Sequence, residues 1–156
     1  MQAAVPRPEL QLLLSCARTV VDAEQAQRIQ ALIRKDIDWA LLFQFACRHG
    51  LAPLLYQGLR ATCPDVMLAP LRDQFQTESD KQTYHGLLYT AELRTISHQL
   101  AAQGIPCLSL KGPLLATRAY GNVGLRKFWD LDLFVDKDNV LKAKELLVSV
   151  GYQPEY

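Results

Sequence analysis

Apolar residues recur every three or four positions over the first hundred residues, and the pattern then shortens to brief runs and alternation. Leu10, Leu13, Leu14, Ala17, Val20 and Val21 share one face of a first helix, entered through Pro6 and Pro8. Asp22 begins a second, with Ala26, Ile29, Leu32 and Ile33 apolar and Arg34, Lys35 and Asp36 at its polar end. Asp36 or Asp38 is the N-cap expected for a third helix. It runs from about Asp38 to His49 and is apolar over much of its circumference through Trp39, Leu42, Phe43, Phe45 and Ala46, which predicts a central position. Gly50 suits a left-handed stop, and Pro53 fits the first turn of a fourth helix, Leu51 to Thr62, broken by Cys63, Pro64 and Asp65. Between Pro70 and Gln103 only Gly86 interrupts a long helical stretch with Leu71, Phe75, Leu88, Leu93, Ile96 and Leu100, closed by Gly104.

Beyond Gly104, Ile105 to Leu110 reads as a short buried strand. Gly112 to Tyr120 reads as a helix with Leu114, Leu115 and Ala119 as its apolar contacts, followed by a turn at Gly121, Asn122 and Gly124. Phe128 to Val135 predicts a second strand, and residues 138–149 an amphipathic helix. The expected class is α+β, with a helical region over 1–103 and a strand-helix-strand-helix segment over 104–156.

The composition leaves this an ordinary globular chain, since 49% of its 156 residues are hydrophobic and 21% charged. Seventeen basic residues against sixteen acidic ones provide no bulk attraction to nucleic acid or to an anionic membrane. Cys16, Cys47, Cys63 and Cys107 form no CxxC pair, which argues against structural zinc and fits free thiols in a reducing compartment. No stretch of about 20 apolar residues occurs and nothing resembles a signal peptide, so the expectation is a cytoplasmic protein.

The most informative stretch is Asp130-Leu131-Asp132-Leu133-Phe134-Val135. On a strand, Asp130 and Asp132 would share one face with their Cα atoms about 7 Å apart. Two converging carboxylates repel unless a hard cation neutralises them, and Mg²⁺ takes carboxylate and phosphate oxygens together. The same tripeptide also describes the solvated side of an edge strand. Its surroundings favour phosphate chemistry: Lys111-Gly112 ends the preceding strand at a helix start, and Arg126 and Lys127 follow a glycine-bearing loop. Trp129 beside the motif is either a packing residue or a platform for a base. His49 is read as a helix-end cap, and His85 and His98 as surface or boundary residues.

Residues 108–136, LSLKGPLLATRAYGNVGLRKFWDLDLFVD, followed by an amphipathic helix and Gly151-Tyr152, resemble the uncharacterised nucleotidyltransferase family of the polymerase-β-like superfamily. The matching features are Lys111-Gly112, Tyr120, Arg126 and the D-x-D, and the lead-in with Asp38, Trp39, His49, Gly50, Pro53, Leu54 and Leu55 is similar too. The resemblance implies a partial polymerase-β-like nucleotidyltransferase core in residues 104–156. It implies a two-metal Mg²⁺ site on Asp130 and Asp132, and an NTP whose nucleoside monophosphate passes to an acceptor hydroxyl on a small molecule, an RNA end or a protein. Lys111, Gly112 and Arg126 would meet the phosphates.

Two departures from the superfamily pattern qualify that expectation. Pro113 stands where a serine hydroxyl is usual, and the third carboxylate of the family belongs to a later strand, for which Glu155 is a poor substitute. An incomplete core, truncated at its C-terminal end and weak or inactive alone, is therefore expected. Two alternatives remain at this point: a nucleotide- or partner-binding module without turnover, and a glycosyltransferase using D-x-D to hold a sugar nucleotide.

Overall fold

A computed structural model describes residues 7–67 and 69–154; Pro6 and Glu155 lie outside the described residues. The element order is α1 (Pro8–Cys16), α2 (Ala23–Ile33), α3 (Trp39–Arg48), α4 (Ala52–Thr62), α5 (Ala69–Ala102), β1 (Cys107–Leu110), α6 (Gly112–Tyr120), β2 (Asp132–Val135) and α7 (Val140–Ser149). Single 3₁₀ turns at Val123–Leu125 and Lys137–Asn139 precede β2 and α7 respectively. The architecture is thus α+β, mostly helical with a two-stranded antiparallel sheet.

Local chemistry explains the helix boundaries. Asp22 accepts the Gln25 N–H at 2.8 Å and Asp38 accepts the Leu41 N–H at 2.9 Å, so Asp38 rather than Asp36 caps α3. The Asp38 N–H itself donates to the buried Glu9 carboxylate at 3.1 Å, which ties α1 to the start of α3. Gly50, at φ +67°, turns the chain from α3 into α4, and Pro53 occupies the first turn of α4, where a missing N–H costs nothing.

Two apolar clusters result. The larger joins α1 to α4 and the start of α5 through Leu12, Cys16, Ile29, Leu42, Leu55, Leu59 and Phe75, all fully buried, with Phe43 set edge-on against Phe75 at 4.9 Å. The smaller seats the sheet on α5 and α7 through Ile96, Leu100, Ile105, Ala143, Leu133 and Val135. Helix α5, about 50 Å long at 1.5 Å per residue, contributes to both. Midway along it the 3₁₀ turn packs close: a Cβ on Gly86 would stand 2.9 Å from the Val123 carbonyl oxygen, and one on Gly124 would stand 2.2 Å from Thr83 Oγ1. The Gln82 side-chain amide donates to the Gly124 carbonyl at 3.0 Å, which closes this seam.

Several expectations need correction. Helix α1 stops at Cys16, so Val20 and Val21 fall outside it and Val20 is exposed; Leu14 also faces solvent. Strand β1 is buried on one face only, with Leu108 and Leu110 open to solvent, and it starts at Cys107 because Pro106 has no N–H to pair. In α6 the residues turned inward are Gly112, Pro113 and Ala116, whereas Leu114, Leu115 and Ala119 are exposed. Strand β2 begins at Asp132, not Phe128. Its register pairs Leu110 with Asp132, and Lys111 then leaves the sheet for α6, so residues 128–131 have no strand to pair with.

Candidate nucleotide and phosphate site

The register places Leu108, Leu110, Asp132 and Phe134 on the open face of the sheet, while Cys107, Ser109, Leu133 and Val135 face α5 and α7. Asp132 therefore projects from the open face at the end where β1 gives way to α6. Lys111, the first residue after β1, reaches back to it, with Nζ 3.4 Å from Asp132 Oδ2. Both side chains are substantially exposed, and such a pair stabilises the fold by less than about 1 kcal/mol.

The backbone beneath this pair is unusual. Lys111 has φ +53° and ψ −132°, and it is the sole non-glycine residue with positive φ among the described residues. That conformation belongs to glycine, and holding a side chain there costs on the order of 1–3 kcal/mol. Gly112 follows at φ +42°, where a Cβ would make ordinary van der Waals contact 3.6 Å from the Asp130 carbonyl oxygen, so its φ rather than crowding requires glycine. Two consecutive positive φ values swing the chain from β1 straight into α6, so that the start of this helix lies beside the Asp130 backbone.

Asp130 lies outside the strand, is exposed, and has no hydrogen-bond or ion-pair partner among the described residues. It borders a groove of about 580 Å³ whose walls include Tyr89 and Glu92 of α5, Trp129, Leu131 and Tyr152. Tyr89 donates its hydroxyl to the Trp129 carbonyl at 2.8 Å, and the Tyr152 hydroxyl bonds the Glu92 carboxylate. Trp129 is 65% exposed and lies outside both apolar clusters. Its ring lies 4.8 Å from that of His85, edge-on, and the Lys127 ammonium stands 4.8 Å from its centroid.

Arg126 opens elsewhere. It borders a separate pocket of about 200 Å³ with Glu78, Lys81, His85 and Lys127, and Trp129 is the wall common to both cavities. One nitrogen of its guanidinium, Nη1, is buried without a hydrogen-bond partner. The Cys47 thiol senses the same neighbourhood: burial raises its pKa first, Glu78 raises it further, and Lys127 and Lys81 oppose both. The structure thus brings Lys111, Gly112, Asp130 and Asp132 together at one edge, and sets Arg126 across Trp129 from them.

The fit of this edge to a hard divalent cation rests on its donors. Asp130 is unengaged and Asp132 meets a single ammonium, so two carboxylates are available. No group of three or more potential metal-ligating side chains occurs among the described residues. Mg²⁺ is commonly held by one or two carboxylates plus phosphate and water, and this pair matches that pattern.

The aromatic and acidic residues of α5 were not anticipated as site residues. His85, Tyr89 and Glu92 repeat at helical spacing on one face, a polar interruption of the apolar stripe that was the available signal.

Residues 35–156 match the family described as uncharacterised nucleotidyltransferase. This chain belongs to that family. The matched span takes in α3 to α7, and so includes both the Lys111–Asp132 edge and the Arg126 pocket. No curated protein and no solved structure matches the chain. Among the described residues, no helix of this nucleotidyltransferase-family protein is long and apolar enough to cross a membrane.

Proposed function

We propose that this chain is a Mg²⁺-dependent nucleotidyltransferase that passes a nucleoside monophosphate from an NTP to an acceptor hydroxyl. The observation that carries the reading is the strained Lys111, held with its ammonium beside Asp132 at the start of α6, since strain of this kind persists where function needs it. Residues 104–154 then carry the strand-helix-strand-helix segment of a polymerase-β-like core, and the helices before them its support.

In this reading Asp130 and Asp132 hold Mg²⁺, which when bound neutralises phosphate charge and orients the triphosphate for in-line attack. Lys111 exchanges its contact with Asp132 for a phosphate oxygen, offsetting charge that grows on the leaving pyrophosphate. Gly112 and the α6 N-terminus bring backbone N–H groups to the same oxygens. Trp129, exposed at the groove mouth, offers its face to a base, while Arg126, expected to meet the same phosphates, opens instead into the pocket across that ring. Family membership favours an NTP over a sugar nucleotide. A module that binds nucleotide without turnover uses the same residues, and the presence at this edge of only two carboxylates among the described residues, one of them paired with Lys111, is what favours it.

Incubation with α- and γ-labelled NTPs in Mg²⁺, in the presence of small-molecule, RNA and protein acceptors, tests the proposal. Nucleotidyl transfer puts the α label on an acceptor and releases the γ label as pyrophosphate. The γ label on an acceptor would mean phosphoryl transfer and would contradict the reading, whereas saturable binding with no transfer would select the module.

A further inference from the structure

We propose that the pocket formed by Lys81, Arg126 and Lys127 around His85 is a second anion site, separate from the Asp130–Asp132 edge, that holds a dianionic phosphomonoester on the acceptor. The assignment of the anion to the acceptor rests on the nucleotidyl-transfer reading; the anion site itself does not.

Three observations converge on it. The Arg126 Nη1 is buried and unpaired, so the guanidinium charge beside the pocket is uncompensated, and an oxyanion met by the pocket-lining part of Arg126 would offset it. Three cations face one carboxylate, Glu78, which leaves an excess of two positive charges, the complement of a phosphomonoester near neutral pH. The pocket, at about 200 Å³, has room for a phosphate group and the start of the molecule that carries it, and one of its walls is Trp129, which also lines the groove beside Asp130. An acceptor anchored by its phosphate against Arg126 would extend past Trp129 and present a hydroxyl toward the nucleotide. Lys127 stands over the Trp129 ring with its ammonium free of any carboxylate among the described residues, so it can turn to the anion without breaking an ion pair. Trp129 is also the reporter, because movement of that ammonium changes the ring's surroundings.

The test is titration of phenyl phosphate into the chain in EDTA, read by calorimetry and by tryptophan fluorescence. It is repeated on Lys81→Ala/Lys127→Ala, on the exposed charge reversal Lys81→Glu, on Arg126→Gln and on Asp130→Asn/Asp132→Asn. Saturable metal-free binding is expected, weakened at least tenfold in the double lysine variant and in Arg126→Gln, weakened in Lys81→Glu, and unchanged in the double aspartate variant. Benzoate, a monoanion of similar shape, should bind at least tenfold more weakly. Absence of binding to the unaltered chain, equal binding in the folded Lys81→Glu protein, or loss in the aspartate variant would overturn the site; equal affinity for benzoate would overturn the phosphomonoester. Titration of a Mg²⁺·NTP analogue into Lys81→Glu should give the affinity of the unaltered chain. If phenyl phosphate binds as stated but no Mg²⁺·NTP analogue binds the unaltered chain, the anion site stands and its assignment to an acceptor falls.

Discussion

Lys111 Nζ lies 3.4 Å from Asp132 Oδ2, across the point where β1 ends and β2 begins, and Lys111 reaches that position from a backbone conformation that favours glycine. The contact is too exposed to repay the strain beneath it, since an exposed pair contributes less than about 1 kcal/mol and the conformation costs about 1–3 kcal/mol. The ion pair therefore does not account for the Lys111 conformation, and stability and binding can be tested apart.

Lys111→Gly should therefore leave the protein as stable or more stable. Release of the strain outweighs the lost ion pair and the added freedom of the unfolded chain, for a net gain of about 1 kcal/mol. Mg²⁺·NTP affinity should fall at least tenfold in the same variant. Urea unfolding together with a nucleotide titration checks both, and a destabilised Lys111→Gly with full affinity would contradict the account.

Seating of the 123–129 segment on α5 depends on two glycines. Gly124→Ala would drive a Cβ to 2.2 Å from Thr83 Oγ1 and 3.1 Å from the Thr83 Cα, and should destabilise by about 1–3 kcal/mol. Combining it with Thr83→Ala removes the closest contact and should restore part of the loss, giving a non-additive double-mutant cycle. Hydrogen exchange should show faster opening of 123–129 in the single variant than of α1 to α4.

What could be read from the sequence follows physical range. The helices of the first hundred residues were legible because caps, proline and glycine act locally: Asp22, Asp38, Gly50 and Gly104 stand where they were expected. Strand length was not legible, because the start of β2 is set by where its partner leaves the sheet at Lys111. The same non-local cause moved Asp130 off the strand and left Trp129 exposed. The Lys111 strain gave no signal, since a lysine before glycine reads as an ordinary helix entry. Arg126 is expected from the sequence beside Lys111, but its separation from Lys111 by Trp129 depends on α5, whose His85 and Lys81 lie some forty residues earlier.

Alkaline pH should weaken the fold through Cys16. Burial, with a smaller contribution from Cys63, pushes this thiol up from 9.0 to about 12. The unfolded chain ionises the thiol near its ordinary value and the folded chain retains the proton. The stability contributed by the neutral thiol is therefore fully present below about pH 9 and is lost as pH rises toward 12, by up to about 1.4 kcal/mol per pH unit. In reductant, unfolding free energies measured between pH 8.5 and 11 should fall more steeply for the unaltered chain than for Cys16→Ala. Parallel slopes would contradict the assignment.

The central claim is that Asp130 and Asp132 hold the metal through which nucleotide binds. Calorimetric titration of nonhydrolysable NTP analogues, with Mg²⁺ and with EDTA, into the unaltered chain and into Asp130→Ala/Asp132→Ala tests it most directly. The account predicts saturable binding that requires Mg²⁺ and disappears in the double variant. Binding that survives in EDTA, or in a folded Asp130→Ala/Asp132→Ala protein, would contradict it.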